Sequence, residues 1–181
     1  MTAPQAAAKV GRVTQRRLIV MRHAKAETYA AVDRDRELTP RGRADAKDAG
    51  DYLATARLVP DYALVSAAAR TRATWSEVAA SSGSTAEVVY DEELYSGGVD
   101  GVLEALRVVP PDVRTLIYVG HNPTAEYLAH ILDDGNGEPA AVTQMLAGYP
   151  TAALTVLDVD VPWAELGEGV GRVRHFHIGR A

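Results

Sequence analysis

Two runs of apolar residues dominate the pattern of hydrophobic and polar positions along this chain. Residues 18–21 and 116–119 carry no charged side chain, which is typical of strands buried on both faces of a parallel sheet. A histidine follows each run, His23 after the first and His121 after the second. Because ligands bind beyond the carboxyl ends of the strands in open α/β sheets, the pattern predicts that the two histidines meet at one site.

Helical and strand patterns alternate along the rest of the chain. Thr39 and Pro40 are typical of a helix start, with threonine as the N-cap and proline at the first helical position. The last third alternates polar and apolar residues in the manner of antiparallel strands. Strands are predicted at 62–66, 86–90, 153–161 and 170–178, and helices at 40–56, 67–82, 99–106, 123–132 and 140–146.

This alternation predicts an α/β fold with a three-layer α/β/α sandwich. The sheet is expected to be mostly parallel, with antiparallel strands at its edge. Residues 1–16 are predicted to be a flexible N-terminal tail, and residues 17–181 a single domain.

Composition narrows the possible partners and chemistry. The 181 residues have a net charge of −5, which disfavours nucleic acid as a partner because phosphate neutralisation needs clustered Lys and Arg. The chain has no cysteine, so disulfides, thiolate metal sites and a thiol-based phosphatase are excluded. No apolar run reaches membrane-spanning length and no signal core opens the chain, so we expect a cytoplasmic protein with no membrane partner.

Two arginines, like the two histidines, lie at the ends of predicted strands. Arg22 directly precedes His23, and Arg70 lies where the strand at 62–66 runs into a helix, a position that favours anions. Two imidazoles with fixed cations suit an anion better than a metal, because zinc would need a third protein ligand. We therefore predict no metal and no cofactor. The arginines could hold a phosphoryl group in fork geometry while a histidine attacks it in line.

Four short motifs resemble those of the histidine phosphatase superfamily, in the same order along the chain. They are Arg22-His23-Ala24-Lys25, residues 38–42 (Leu-Thr-Pro-Arg-Gly), residues 66–71 (Ser-Ala-Ala-Ala-Arg-Thr) and residues 120–123 (Gly-His-Asn-Pro). Ala24 stands where that family usually has glycine, so the backbone there must tolerate a Cβ. The short chain and the Arg-His-Ala-Lys form look most like the small bacterial phosphohistidine phosphatase branch.

The resemblance implies a phosphoglycerate mutase-like fold and a division of roles among the site residues. His23 would be the nucleophile, and Arg22, Arg70 and His121 would bind the phosphate and the charge that develops during transfer, with Asn122 beside them. Larger family members take a general acid from the region before the middle helix, where Glu93 is the first candidate. Glu92 and, with less support, Asp35 are alternatives.

The expected function is hydrolysis of phosphohistidine in a protein, or of a related phosphorylated substrate, through a covalent phosphohistidine intermediate. The expected partner is accordingly a phosphorylated protein or a small phosphorylated metabolite. Two alternatives stay open at this point: a phosphatase for small phosphomonoesters with the same fold, and a phosphate-binding module without catalysis.

Overall fold

A computed structural model describes residues 15–181, so most of the predicted tail lies outside the described residues. The strands are β1 (Arg16–Arg22), β2 (Tyr62–Ser66), β3 (Glu87–Asp91), β4 (Thr115–Gly120), β5 (Ala153–Val159) and β6 (Gly171–Ile178). The helices are α1 (Pro40–Thr55), α2 (Ala69–Ser82), α3 (Glu93–Ser96), α4 (Gly98–Arg107), α5 (Thr124–Leu132) and α6 (Pro139–Leu146). None of the helices described is long and apolar enough to cross a membrane.

All six strands form one sheet in the order β3-β2-β4-β1-β5-β6. The first four strands in the chain run parallel to one another. The strand β5 pairs antiparallel with β1, and β6 pairs antiparallel with β5. The predicted mixed sheet with antiparallel strands at one edge is therefore confirmed.

Helices cover both faces of the sheet because successive side chains of each strand point to opposite sides. On β1, Ile19 and Met21 are buried against α1 and α2, whereas Leu18 and Val20 are buried against α4, α5 and α6. Each fully buried aliphatic side chain of this kind contributes about 1.5–3 kcal/mol of transfer free energy. The predicted three-layer α/β/α arrangement follows from these two cores.

Local signals set most helix ends where the sequence predicts them. Thr39 is the N-cap of α1, and its hydroxyl accepts a hydrogen bond from the backbone N–H of Gly42 at 2.9 Å. Gly83 ends α2 in the left-handed conformation, with φ of 71°. The helix α2 begins at Ala69, two residues later than predicted, because the N–H of Ala67 donates to Asp91 O and continues the pairing of β2 with β3.

A short helix, α3, occupies a segment for which the sequence analysis predicts no helix or strand. Leu94 is buried and anchors this single turn against the sheet. The turn begins beside the Asp91 carboxylate, which accepts a hydrogen bond from the N–H of Glu93 at 2.8 Å. An acidic sequence therefore becomes ordered here through one apolar contact and one side-chain hydrogen bond.

Neighbouring strands β1 and β4 send the chain to opposite faces of the sheet. After β1 the chain enters α1 on one face, and after β4 it enters α5 on the other. This divergence opens a crevice between the carboxyl ends of the two strands, which is where ligands bind in sheets of this type. His23 and His121 lie at this crevice.

Gly120, the last residue of β4, should be essential for stability. A Cβ at this position would overlap the phenol of Tyr118, and Tyr118 is fully buried and has no room to move aside. We expect Gly120→Ala to lower the free energy of unfolding by about 1–3 kcal/mol in urea denaturation, the usual cost of overpacking. Gly101→Ala is the control, because nothing lies near its Cβ position in α4. Equal stability of the two variants would contradict this account.

Candidate active site

The register between β1 and β4 places the two predicted histidines side by side. Arg22 pairs with Gly120, and the N–H of His23 donates to Gly120 O at 2.9 Å. The imidazole centroids of His23 and His121 are 5.3 Å apart, with their planes tilted by 58°. The prediction that these residues meet at one site is correct in geometry, although nearly a hundred residues separate them in the chain.

The His23 ring is held in one orientation by its own main chain. Nδ1 lies 2.8 Å from the carbonyl oxygen of Ala24, and a carbonyl oxygen can only accept, so Nδ1 carries the proton. The lone pair is then on Nε2, the nitrogen that can act as a nucleophile. The Ala24 backbone is itself fixed, because its N–H donates to Thr74 Oγ1 at 3.0 Å. The backbone tolerates the Cβ of Ala24, which is fully buried.

Burial keeps both imidazoles neutral. The pKa of His23 is lowered from 6.5 to about 4, mainly by burial; the hydrogen bond to Ala24 O opposes this shift, and the nearby charges of Arg70, Arg22 and Arg36 contribute to it. Burial likewise lowers the pKa of His121 to about 3, with added effects from His23 and Arg70. A neutral His23 is required of a nucleophile, because a protonated imidazole has no free lone pair.

His121 is oriented by the end of the neighbouring strand β2. Its Nε2 is hydrogen-bonded to the hydroxyl of Ser66 at 2.9 Å. The ring of Tyr95 packs edge-on against it, with centroids 5.2 Å apart and an interplanar angle of 87°. His121 therefore lies between His23 on one side and Tyr95 on the other.

Arg70 lies in the first turn of α2 and is almost completely buried. Its Nη1 donates to the main-chain oxygen of Asp33 at 2.8 Å, and its Nη2 donates to the Asp33 carboxylate at 3.1 Å. The guanidinium carbon also lies 5.6 Å from the ring centroid of Tyr95. Arg70 thus reaches the site from α2, as its position in the sequence predicts.

Arg22 is anchored through the segment that connects α6 to β5. Its Nη1 donates to the carbonyl oxygen of Tyr149 at 2.8 Å. The amide of Asn122 donates to the same carbonyl at 3.0 Å and to Glu126 Oε2 at 2.9 Å. The phenol of Tyr149 is buried, donates to Val20 O and accepts from the hydroxyl of Thr155. In this arrangement Asn122 supports the segment that holds Arg22, and its role in binding phosphate stays a prediction.

The structure does not bring Glu93 to the other predicted site residues. Glu93 lines a groove on the α4 side of the sheet with Leu64, Val89 and Glu104, and its carboxylate has no hydrogen bond to His23, Arg70 or His121. Glu92 is paired with Arg34, and Asp35 lies on the 3₁₀ turn Asp33–Asp35. The identity of the general acid therefore stays a prediction.

Three residues that the sequence analysis did not single out contact the site or act on it. Asp33 binds Arg70, Tyr95 packs on His121, and the charge of Arg36 lowers the pKa of both histidines. Asp33 and Arg36 lie in the polar loop after β1, where charges of both signs alternate without helical or strand periodicity. Only the run of charges before Thr39 could have drawn attention to them.

The arrangement suits an anion with tetrahedral oxygens. Three arginines lie near enough to the neutral imidazole of His23 to affect its pKa, and the neutral imidazole of His121 lies beside it. Within residues 15–181 no group of three or more His, Asp or Glu side chains is placed to hold a metal ion. The cationic and neutral side chains gathered here suit an anionic ligand.

Comparison with known proteins agrees with this site. Residues 18–98 match the histidine phosphatase superfamily (branch 1). An uncharacterized protein of Mycobacterium tuberculosis is 37% identical over 162 residues, which is 88% of this chain and 100% of that protein. The chain belongs to the histidine phosphatase superfamily.

Solved structures extend the comparison to the fold. A Nakamurella multipartitia protein assigned as the phosphohistidine phosphatase SixA is 33% identical, with a TM-score of 0.81 over 92% of this chain and 98% of that one. A phosphoglycerate mutase of Plasmodium falciparum is 16% identical, with a TM-score of 0.60 over 93% of this chain and 94% of that one. The predicted phosphoglycerate mutase-like fold is confirmed.

Stability should depend on pH through the two buried histidines. Their pKa values lie below 6.5 in the folded protein, so below pH 6.5 the unfolded chain binds more protons than the folded one. The free energy of unfolding should therefore fall as the pH drops from about 6.5 towards 4. Urea denaturation at several pH values measures this slope. A variant with His23→Gln and His121→Gln should have a shallower slope over the same interval, and an unchanged slope would contradict the assignment.

Proposed function

We propose that this protein is a phosphatase that transfers a phosphoryl group to His23 and then to water. The observation that carries the proposal is the free Nε2 of a neutral His23, held by Ala24 O and surrounded by Arg22, Arg36 and Arg70. Guanidiniums stabilise the charge that spreads over the equatorial oxygens during transfer, and each preorganised donor of this kind contributes about 2.7–4 kcal/mol.

The reaction balances in two displacements at phosphorus. Nε2 of His23 attacks, the bond from phosphorus to the leaving group breaks, and its electron pair leaves with that group, which takes up a proton. Water then attacks the phosphohistidine, the bond between phosphorus and Nε2 breaks, and inorganic phosphate is released. Arg22 and Arg70 hold the oxygens in both steps, and His121 contributes an imidazole N–H as a further donor to them.

We further propose phosphohistidine in a protein as the substrate. Three arguments support this choice. Between Arg22 and Thr115 the chain consists of the strands of the sheet, their helices and the connecting loops, with no inserted capping domain. The assignment of the Nakamurella multipartitia relative points the same way. An imidazole leaving group also depends little on a strong general acid, which fits the place of Glu93 in the lining of the groove beside α4.

Replacing His23 should abolish turnover. Wild type and His23→Ala are incubated with a labelled phosphohistidine peptide and with an aryl phosphate, then quenched rapidly. We expect an acid-labile, base-stable label on wild type only, because no covalent route remains without the imidazole. His175→Ala is the matched control, since His175 is exposed on β6. Full turnover by His23→Ala would contradict the mechanism, and phosphate binding by wild type without any turnover would instead indicate a binding module.

Replacing Glu93 should have little effect on activated substrates. A general acid contributes about 10²–10⁴-fold, so its loss would be obvious. We expect Glu93→Gln to retain kcat/KM within about twofold for an aryl phosphate and for phosphohistidine, because its carboxylate lies in the groove beside α4. Glu104→Gln, in the same groove, is the control. A hundredfold loss with Glu93→Gln on an alkyl phosphate would instead establish Glu93 as the acid.

A further inference from the structure

The carboxylate of Asp33 links three separate elements around the site. Its Oδ2 accepts from Nη2 of Arg70 at 3.1 Å and from the phenol of Tyr95, and its Oδ1 accepts from Nε of Arg36 at 2.8 Å. Its main-chain oxygen accepts from Nη1 of Arg70. The loop after β1, the helix α2 and the turn α3 are thereby joined at one side chain.

These contacts differ from an ordinary surface ion pair. The side chain of Asp33 is 56% exposed, and such a carboxylate usually contributes little. Its partner Arg70 has a side chain only 5% exposed, and a buried cation requires a counter-ion. The hydrogen bond from Tyr95 is the main reason why the pKa of Asp33 falls to about 2, with the charges of Arg70 and Arg36 adding to it. Asp33 is therefore ionised at any pH at which the protein would work.

Asp33 also offsets repulsion between like charges. Arg36 and Arg70 both lie close enough to His23 and His121 to lower the pKa values of these histidines. Two guanidiniums that converge on one point repel each other, and a shared carboxylate holds them together without occupying all their donors. A guanidinium has five N–H groups. Asp33 accepts hydrogen bonds from two N–H groups of Arg70 and from one of Arg36, and Glu27 O accepts a hydrogen bond from one more N–H group of Arg36.

We propose that Asp33 is a positioning residue for the phosphoryl group, which orients Arg70 and Arg36 so that their remaining N–H groups face the phosphate oxygens. The same carboxylate fixes Tyr95, whose ring forms the wall beside His121. The expected effect of Asp33 on turnover rests on the proposed function. The expected effect on phosphate binding does not, because binding requires no catalysis.

An opposite role is conceivable for the same contacts, since a carboxylate held by two arginines and a phenol resembles a bound phosphate. A carboxylate that occupied the phosphate position would have to leave when phosphate binds, and its removal would then strengthen phosphate binding. The donors that Asp33 leaves free on Arg70 and Arg36 favour the positioning role. The two roles predict opposite changes in affinity.

The experiment measures the affinity for inorganic phosphate by titration calorimetry in wild type, Asp33→Ala, Asp33→Asn and Glu37→Gln. Glu37→Gln is the matched control, because Glu37 lies in the same loop and pairs only with Arg43 on α1. We expect Asp33→Ala to weaken phosphate binding about tenfold or more, equivalent to about 1.4 kcal/mol. Asp33→Asn should weaken it too, because the amide cannot serve both Arg70 and Arg36 as an acceptor. The control should bind phosphate as wild type does.

Further measurements separate positioning from a general loss of structure. The thermal midpoint of Tyr95→Phe should stay close to wild type, because Asp33 keeps its charge beside Arg70, while KM for an aryl phosphate rises and kcat falls in both Tyr95→Phe and Asp33→Asn. Phosphate affinity in Asp33→Asn that equals or exceeds that of wild type would overturn the proposal. If His23→Ala retained full turnover, the proposed function would fail, yet the change in phosphate affinity would still decide the role of Asp33. If Asp33→Ala does not fold, Asp33→Asn and Tyr95→Phe carry the test.

Discussion

Hydrogen bonds between β1 and β4 set Arg22 opposite Gly120, and the arrangement of the site follows from that register. A slip of one residue would turn His121 to the other face of the sheet and separate it from His23. The register is fixed because both strands are buried on both faces, so that any shift would expose apolar side chains or bury polar ones. The core therefore determines the distance between the two imidazoles.

Burial at the ends of β1 and β4 also determines the protonation state of the histidines there. An imidazole removed from water and surrounded by arginines does not hold a proton near neutral pH, and His23 is in this situation. The three cations keep their charge because guanidinium is basic enough to remain protonated. One low-dielectric environment thus holds a neutral imidazole and charged guanidiniums together.

The sequence predicted the parts of the site that strands and helix starts position. Uninterrupted apolar runs identified β1 and β4, and the turn after β2 identified Arg70, since each follows from periodicity and known end signals. The contacts of Asp33, Arg36 and Tyr95 could not be predicted in this way. They arise where a loop and a single helical turn fold back over the crevice, and no periodic pattern encodes that closure.

Glu93 illustrates a different limit of prediction from sequence. Its position in the chain matched the region in which related enzymes hold a general acid, but a helix of four residues decides the direction of each side chain. Tyr95 and Glu93 are two positions apart in α3, which separates their side chains by about 200° around the axis. The turn therefore directs the phenol to His121 and the carboxylate to the α4 groove.

Tyr149 links the site to the protein interior, because its main chain contacts site residues and its side chain lies in the core. Its carbonyl supports Arg22 and Asn122, while its phenol is fixed inside the core by Val20 and Thr155. The packing of the Tyr149 side chain thus sets the position of its own carbonyl oxygen, which accepts the hydrogen bonds from Arg22 and Asn122 in the crevice. A substitution in the interior beneath β5 would therefore shift the acceptor that holds Arg22 and Asn122, so that the geometry of the site and the stability of the core are coupled through Tyr149.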